Sequence, residues 1–181
     1  MRLLFEIDTK DYNPNGTVYS RPSVRGIIVR GGLLAAVYSR KYDYCKFPGG
    51  GIEPGETQVQ ALVREVREET GLTVIPESAV PFGYVHRVQK GLHEDMFVQD
   101  NFYYFCEADG SSTAQMLDDY EAEEQFTLRF LPLHEIIAVN RTHPHGEMDT
   151  HPQFPFMLER ENRVLELLAE EYPQLFSMKE R

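Results

Sequence analysis

The chain has 181 residues, 41% of them apolar, enough for one hydrophobic core and too few for several. Its 29 acidic residues against 18 basic ones give a formal charge of -11, which excludes a broad basic surface gripping a nucleic-acid polymer and leaves a small anionic ligand bridged by cations. Arg2, Glu6 and Asp8 come too early for a signal-peptide core, no run reaches transmembrane length, and Cys45 and Cys106 form no ladder of spacings. The expectation is a cytoplasmic protein with two buried, reduced thiols and no membrane partner.

Residues 1–9 read as an edge strand or a dimer arm, cut off by the turn-rich DYNPNGT, and a homodimer is therefore among the expectations. VRGIIV (24–29) and LLAAVYS (33–39) flank Gly31 and Gly32, the pattern of a hairpin. KFPGGGIEPGE (46–56) is too rich in glycine and proline to remain extended and reads as a loop. It feeds a helix whose apolar stripe is Val59, Leu62, Val63 and Val66, with Glu56 or Thr57 at its start and Gly71 at its end. PFGYVHRVQ (81–89) and MFVQDNFYYFCEA (96–108) read as strands joined by the turn KGLHED, followed by a strand at QFTLRFL (125–131) and a short helix at PLHEII (132–137). Residues 140–155 read as irregular, and 155–172 as an amphipathic helix through Met157, Val164, Leu165 and Leu168. No repeat or low-complexity segment divides the chain, so residues 1–181 are expected to form one mixed α/β domain.

Glu65, Glu68 and Glu69 stand at i, i+3 and i+4 on the central helix, which crowds three carboxylates into one band beside the apolar stripe. Such a helix is most often a solvated acidic face locally paired with Arg64 and Arg67. The glycine run 49–51 changes the weighting, because it lets backbone approach a ligand closely and offers a bare carbonyl. A hard divalent cation, Mg²⁺ or Mn²⁺, would turn the mutual repulsion of the carboxylates into attraction.

From Gly50 to Leu72 the chain reads GGIEPGETQVQALVREVREETGL, which satisfies every defined position of G-x5-E-x7-R-E-U-x-E-E-x-G-U, with U aliphatic. The sequence therefore resembles the Nudix hydrolases. The fold this implies is the Nudix α/β/α sandwich with a mixed β-sheet. By the same resemblance Glu65, Glu68 and Glu69 are metal ligands, Gly49 lends its carbonyl, and Glu56 and Arg64 form a pair that fixes loop against helix. Arg64 has an alternative role in orienting the neighbouring carboxylates. The reaction implied is attack of an activated water on a substrate diphosphate. The proton acceptor is Glu65 or Glu69, or an acid of the later cluster Glu121, Glu123 and Glu124, of which Glu123 and Glu124 are carried as a possible extra base or ligand.

Among the cations flanking the glycine loop (Arg21, Arg25, Arg40, Lys41 and Lys46), Arg25 and Lys46 are carried as phosphate contacts, against a surface role for any one of them. Tyr42, Tyr44, Phe47, Tyr84 and Tyr103 are either base-stacking residues or strand core. His143, His145 and His151 read as an exposed polar loop. VHRVQKG (85–91) carries neither the proline nor the tyrosine that marks two Nudix subfamilies beyond the box, and the chain has no tryptophan for the NADH-type motif. That leaves a nucleoside triphosphate or a small nucleotide-sugar, with the triphosphate favoured. The competing class is a Nudix-fold module that senses a nucleotide without hydrolysing it.

Overall fold

A computed structural model describes residues 1–177; the last four residues of the expected 1–181 domain lie outside it. Val24, Ile27 and Ile28 are almost fully buried, and the segment they belong to does not form a single hairpin arm. It divides into β3 (Ser23–Ile27) and β4 (Val29–Arg30), which belong to different sheets. The reason lies in consecutive apolar residues: Ile27 packs into the core on one side of the sheets and Ile28 into the core on the other. The expected turn at Gly31 and Gly32 survives between β4 and β5 (Leu33–Ser39), and both glycines have positive φ.

One sheet runs β1 (Leu3–Asp8), β8 (Val80–Gln89), β9 (Met96–Phe105) and β2 (Val18–Ser20), with β3 also on β9. β8 and β9 are antiparallel across the expected turn, whereas β1 lies parallel to β8, and β2 and β3 lie parallel to β9. The second sheet is antiparallel and centres on β5, which pairs with β4, β6 (Tyr44–Lys46) and β11 (Phe126–Leu131). A small pair, β7 (Leu72–Val74) with β10 (Ala108–Ser112), completes the strands.

Helix α1 (Gln58–Thr70) places Ala61, Leu62 and Val66 against Val24, Ile28 and Ala35. On the opposite face α3 (Leu133–Thr142) and α4 (Phe154–Glu171) bring Ile136, Val164, Leu165 and Leu168 onto Ile7, Ile27, Leu34 and Val85. The two apolar surfaces give the α/β/α sandwich with a mixed sheet. Short helices α2 (Asp119–Glu123) and α5 (Pro173–Phe176) decorate it. No helix among the described residues is long and apolar enough to cross a membrane. Cys45 and Cys106 are free and buried, and burial pushes both thiols up to about 12.

Two expectations need correction. The helix expected at 132–137 continues to Thr142 because Asn140 is not a loop residue: its Oδ1 accepts from Cys45 N–H (2.7 Å) and its Nδ2 donates to Cys45 O (2.9 Å), pinning α3 to β6. His143 and His151 are exposed, but His145 is 3% exposed, its ring nitrogens lying 2.9 Å from Tyr42 O and 3.3 Å from Asn140 O. A histidine read as part of a polar loop is thus an anchor of that loop.

Candidate active site

The site begins with the two ends of α1. Thr57, rather than Glu56, caps the helix: its hydroxyl accepts from Gln60 N–H (3.2 Å) and Gln60 Oε1 accepts from Thr57 N–H (2.9 Å). Gly71 ends it at φ 74°, and a Cβ there would stand 2.1 Å from Thr113 O. The segment after β10 also closes the helix end, with Met116 N–H on Glu68 O (2.8 Å) and the Gln115 amide on Glu69 O.

The glycine loop lies flat on β3, where Gly26 N–H donates to Pro48 O (2.8 Å) and Val24 N–H to Gly50 O (2.9 Å). A side chain would meet close neighbours at two of its positions, and at the first of them only glycine fits. At Gly49, with φ 134°, a Cβ would meet Val24 O at 2.2 Å; at Gly50 it would meet Glu65 Oε2 at 2.2 Å. The loop is therefore pressed onto the carboxylate of Glu65.

Arg64 joins loop to helix. Its Nε and Nη2 donate to the two oxygens of Glu56 (2.7 and 2.8 Å), and Nη2 also reaches Gly51 O (3.0 Å). The remaining arm, Nη1, holds Glu65 Oε1 (2.8 Å) and Glu68 Oε2 (3.2 Å). Both roles considered for this residue, pairing with Glu56 and orienting the next carboxylates, thus belong to one fork. The bidentate contact draws the Glu56 carboxyl down to about 2, while the acceptors around Arg64 raise its own value.

The three box carboxylates are not equivalent. Glu69 is 1% exposed, as its position beside the apolar stripe leads one to expect, and both of its oxygens are engaged: Lys46 Nζ donates to Oε1 (2.6 Å) and Gly49 N–H to Oε2 (2.7 Å). Burial raises its carboxyl to about 7 against the pull of Lys46 and Arg25. Glu65 is also shifted upward by burial, against Arg64. Glu68 is the most open of the three, with its side chain 32% exposed.

Glu65, Glu68 and Arg64 line a cavity of about 620 Å³ together with Gly51, Glu53 and Asp118. Its hard oxygen donors suit Mg²⁺ or Mn²⁺, and Arg64 Nη1, bridging Glu65 and Glu68, occupies the place of positive charge between them. Among the described residues no three His, Cys, Asp or Glu side chains stand arranged as a preformed metal cluster, since Glu69 faces inward onto Lys46.

The remaining candidates separate. Lys46 is committed to Glu69 and packs over Phe126, 4.5 Å from the ring centre. Glu123 pairs with Lys41 at the surface (2.7 Å) and Glu124 accepts from Tyr44 OH (2.7 Å), so neither lines the carboxylate cavity. The acid of that segment that does is Asp118, the N-cap of α2, whose N–H donates to Glu121 Oε2 (2.9 Å). Sequence reasoning passed over Asp118, although Asp118-x-x-Glu121 is a capping-box pattern that marks a turn able to present it. Tyr44, Phe47 and Tyr103 are core residues, 3%, 2% and 0% exposed. Arg25, from β3, is buried with Nε and Nη1 meeting no acceptor among the described residues.

The chain matches the family model described as the NUDIX domain over residues 20–152. It therefore belongs to the Nudix hydrolase family. It is 44% identical over 55 residues to an RNA pyrophosphohydrolase of Serratia proteamaculans and 44% identical over 54 residues to one of Yersinia enterocolitica, in each case over 29% of this chain. The matches span 31% and 30% of those curated relatives, less than a third of their length. Among solved structures it is similar to a NUDIX hydrolase from Nitrosomonas europaea (TM-score 0.53, 20% identity, 78% of this chain and 87% of that one). A MutT NUDIX hydrolase from Burkholderia pseudomallei superposes with TM-score 0.51 at 18% identity, over 78% of this chain and 97% of that one. At these identities the structural likeness establishes the fold.

Proposed function

We propose that this chain hydrolyses a phosphoanhydride bond of a small nucleotide, a nucleoside triphosphate or a related nucleotide, with Mg²⁺ or Mn²⁺ as cofactor. The observation that carries the reading is that Glu65, Glu68 and Asp118 all line one cavity beside the glycine loop. Glu65 and Glu68 would hold the cation from the helix, with Glu69 and the Gly49 carbonyl as the inner ligands. When bound, the cation neutralises the phosphate oxygens and makes the attacking water more acidic. The chain's own contribution is positional. Arg64 and Glu56 fix the glycine loop against α1, so the substrate's phosphates meet a preset surface rather than a mobile one. Lys46 partners the buried Glu69 carboxyl, and a metal would have to compete with it for that group. The proton from water passes to a carboxylate facing the cavity, and Asp118, which lies outside the Arg64 network, is the added candidate beside Glu65 and Glu69.

The preference for a small nucleotide follows from the acidic composition and the missing subfamily signatures, whereas the relatives matched over 54 and 55 residues are named for action on RNA. A panel with Mg²⁺ decides: nucleoside triphosphates, nucleotide-sugars, dinucleotides and a 5′-triphosphorylated RNA, with products identified and ¹⁸O-labelled water marking the phosphorus attacked. Turnover of a small nucleotide with label in one phosphate product is expected. Binding without turnover across the panel would replace hydrolysis with sensing, and turnover confined to RNA would replace the substrate.

A further inference from the structure

A second cavity, of about 560 Å³, shares Tyr19 and Arg21 with the carboxylate cavity. Arg21 stands at the junction, close enough to the glycine loop that a Cβ on Gly51 would lie 2.7 Å from its Nε. The walls beyond it add Arg25, Arg87 and Arg160, against a single lining carboxylate, Glu94. In a chain of net charge -11 this is a local reversal of sign.

These arginines differ in how they are compensated. Arg160 is saturated: Nη2 and Nε donate to Glu161 Oε1 (2.6 and 3.0 Å), and Nη1 to Asn101 Oδ1 (2.7 Å). Arg25 and Arg87 are 9% and 5% exposed, yet Nε and Nη1 of Arg25 and Nε of Arg87 meet no acceptor among the described residues. Arg87 lies over the ring of Phe97, 5.0 Å from its centre, which fixes its position although it forms no salt bridge among the described residues. Burial, and then the charges of Arg160 and Arg25, draw it down to about 9, a measure of how poorly the protein itself accommodates that charge. A buried guanidinium with unused donors is unfavourable as pure structure, and a bound anion corrects both faults. Tyr19 and Phe97, with ring centres 5.9 Å apart, supply apolar wall on the way from Arg21 to Arg87.

We propose that the unmatched donors of Arg25 and Arg87 seat a second phosphate of the substrate, one distinct from the anhydride to be cleaved. This rests on the hydrolase reading above and narrows it: the substrate is a nucleotide with a further phosphate outside its reacting diphosphate. The planar forks of Arg25 and Arg87 match the oxygens of a phosphate better than an ammonium would.

The test uses the full chain stripped of metal on a chelating resin, since a soluble chelator is itself a polyanion. Without metal the carboxylate cavity repels phosphate, so binding reports on the arginines. Thermal melts are recorded with inorganic phosphate against chloride at matched ionic strength. Phosphate is expected to raise the wild-type midpoint by several degrees; Arg25→Met and Arg87→Met should lose most of that rise, and exposed Arg40→Met should keep it. No phosphate-specific rise in the wild type, or an equal rise in both pocket variants, overturns the proposal. The wild-type arm decides even where a variant fails to fold. Failure of the hydrolase reading shows differently, as absence of turnover on every nucleotide while the phosphate titration stays positive. With an active substrate in hand, Arg87→Met should lower its kcat/KM by about tenfold or more, a larger loss than for the counterpart lacking the second phosphate.

Discussion

The two adjoining cavities treat buried charge in opposite ways. On the carboxylate side the chain supplies its own counter-charges: Arg64 spans Glu56, Glu65 and Glu68, and Lys46 answers Glu69. On the arginine side Glu161 answers Arg160, but Arg25 and Arg87 keep donors without acceptors among the described residues. The first arrangement folds in a defined geometry before any ligand arrives, at the cost that a metal would have to displace internal partners. The second leaves donors unmatched, so that a ligand would complete it. Preset geometry suits the reacting bond and residual charge suits recognition.

The largest effect expected on this comparison is at the carboxylates. Glu65→Gln, Glu68→Gln and Glu69→Gln should each lower kcat/KM by about 10² to 10⁴, a transition-state loss of roughly 3 to 6 kcal/mol, and metal stripping should match them. Steady-state rates across a Mg²⁺ titration check this, and wild-type-like turnover in any of the three would remove that residue from the site. Next in size is a stability effect in the metal-free protein. Burial raises Glu69 from 4.5 to about 7, so the folded form holds the proton more tightly than the unfolded chain. The corresponding stability is fully present below pH 4.5 and lost as pH rises through 7, by up to about 3 kcal/mol. Glu69→Gln lacks this titration, so its stability relative to wild type should climb between pH 5 and 8 in urea melts. Parallel curves would show that Lys46 and Gly49 compensate the charge in full.

The same comparison explains what could be read from the sequence. Apart from Asp118, the carboxylate side lies within one stretch, residues 46–69, so glycine loop, helix stripe and Glu spacing could all be recognised together. The long strands 80–89 and 96–105 and the turn between them were equally legible from aromatic and β-branched runs. The arginine side is assembled from β3, β8 and α4, and nothing local distinguishes Arg87 in a strand or Arg160 in a helix from a solvated cation until the fold joins them. Strands β2, β6 and β7 are three residues each, too short for any periodicity to declare itself. Segment 24–29 misled because a run buried on both faces looks the same in one sheet as in two. His145 and Asn140 misled because polar residues in a Pro/Gly-rich stretch resemble loop, whereas here their hydrogen bonds hold that stretch down.

A smaller effect sharpens the contrast between preset and residual charge. The Glu56–Arg64 contact is bidentate with both side chains partly exposed, at 20% and 26%, so solvent screening should trim its coupling to roughly 0.5–1.5 kcal/mol in a double-mutant cycle with Glu56→Gln and Arg64→Met. Glu56 is lowered to about 2 by Arg64, so the coupling is present above pH 4.5 and lost as pH falls toward 2. Activity should fall by about tenfold in Glu56→Gln because the loop loses its tie to α1. An unchanged kcat with only KM affected would instead place the clamp in substrate binding.

The smallest expected effect is at Glu123, and it serves to separate two acids of one segment. Glu123 is bonded to Lys41 at the surface, outside the carboxylate cavity, whereas Asp118 lines that cavity with Glu65 and Glu68. Exposed pairs of the first kind contribute little, so Glu123→Gln should change kcat by less than about twofold. Asp118→Asn should lower kcat by about 10- to 100-fold if that carboxylate takes the proton, and the acidic limb of its rate-pH profile should lose the inflection of the missing group. A merely structural Asp118 would give a lower midpoint in melts with the profile unmoved. Glu123→Gln supplies the baseline, because it removes one negative charge from the same stretch of chain without touching the cavity. Equal effects of the two substitutions, or a larger one for Glu123, would mean that closeness to the carboxylate cavity does not select the working acid, and the contrast between the two cavities would lose its catalytic half.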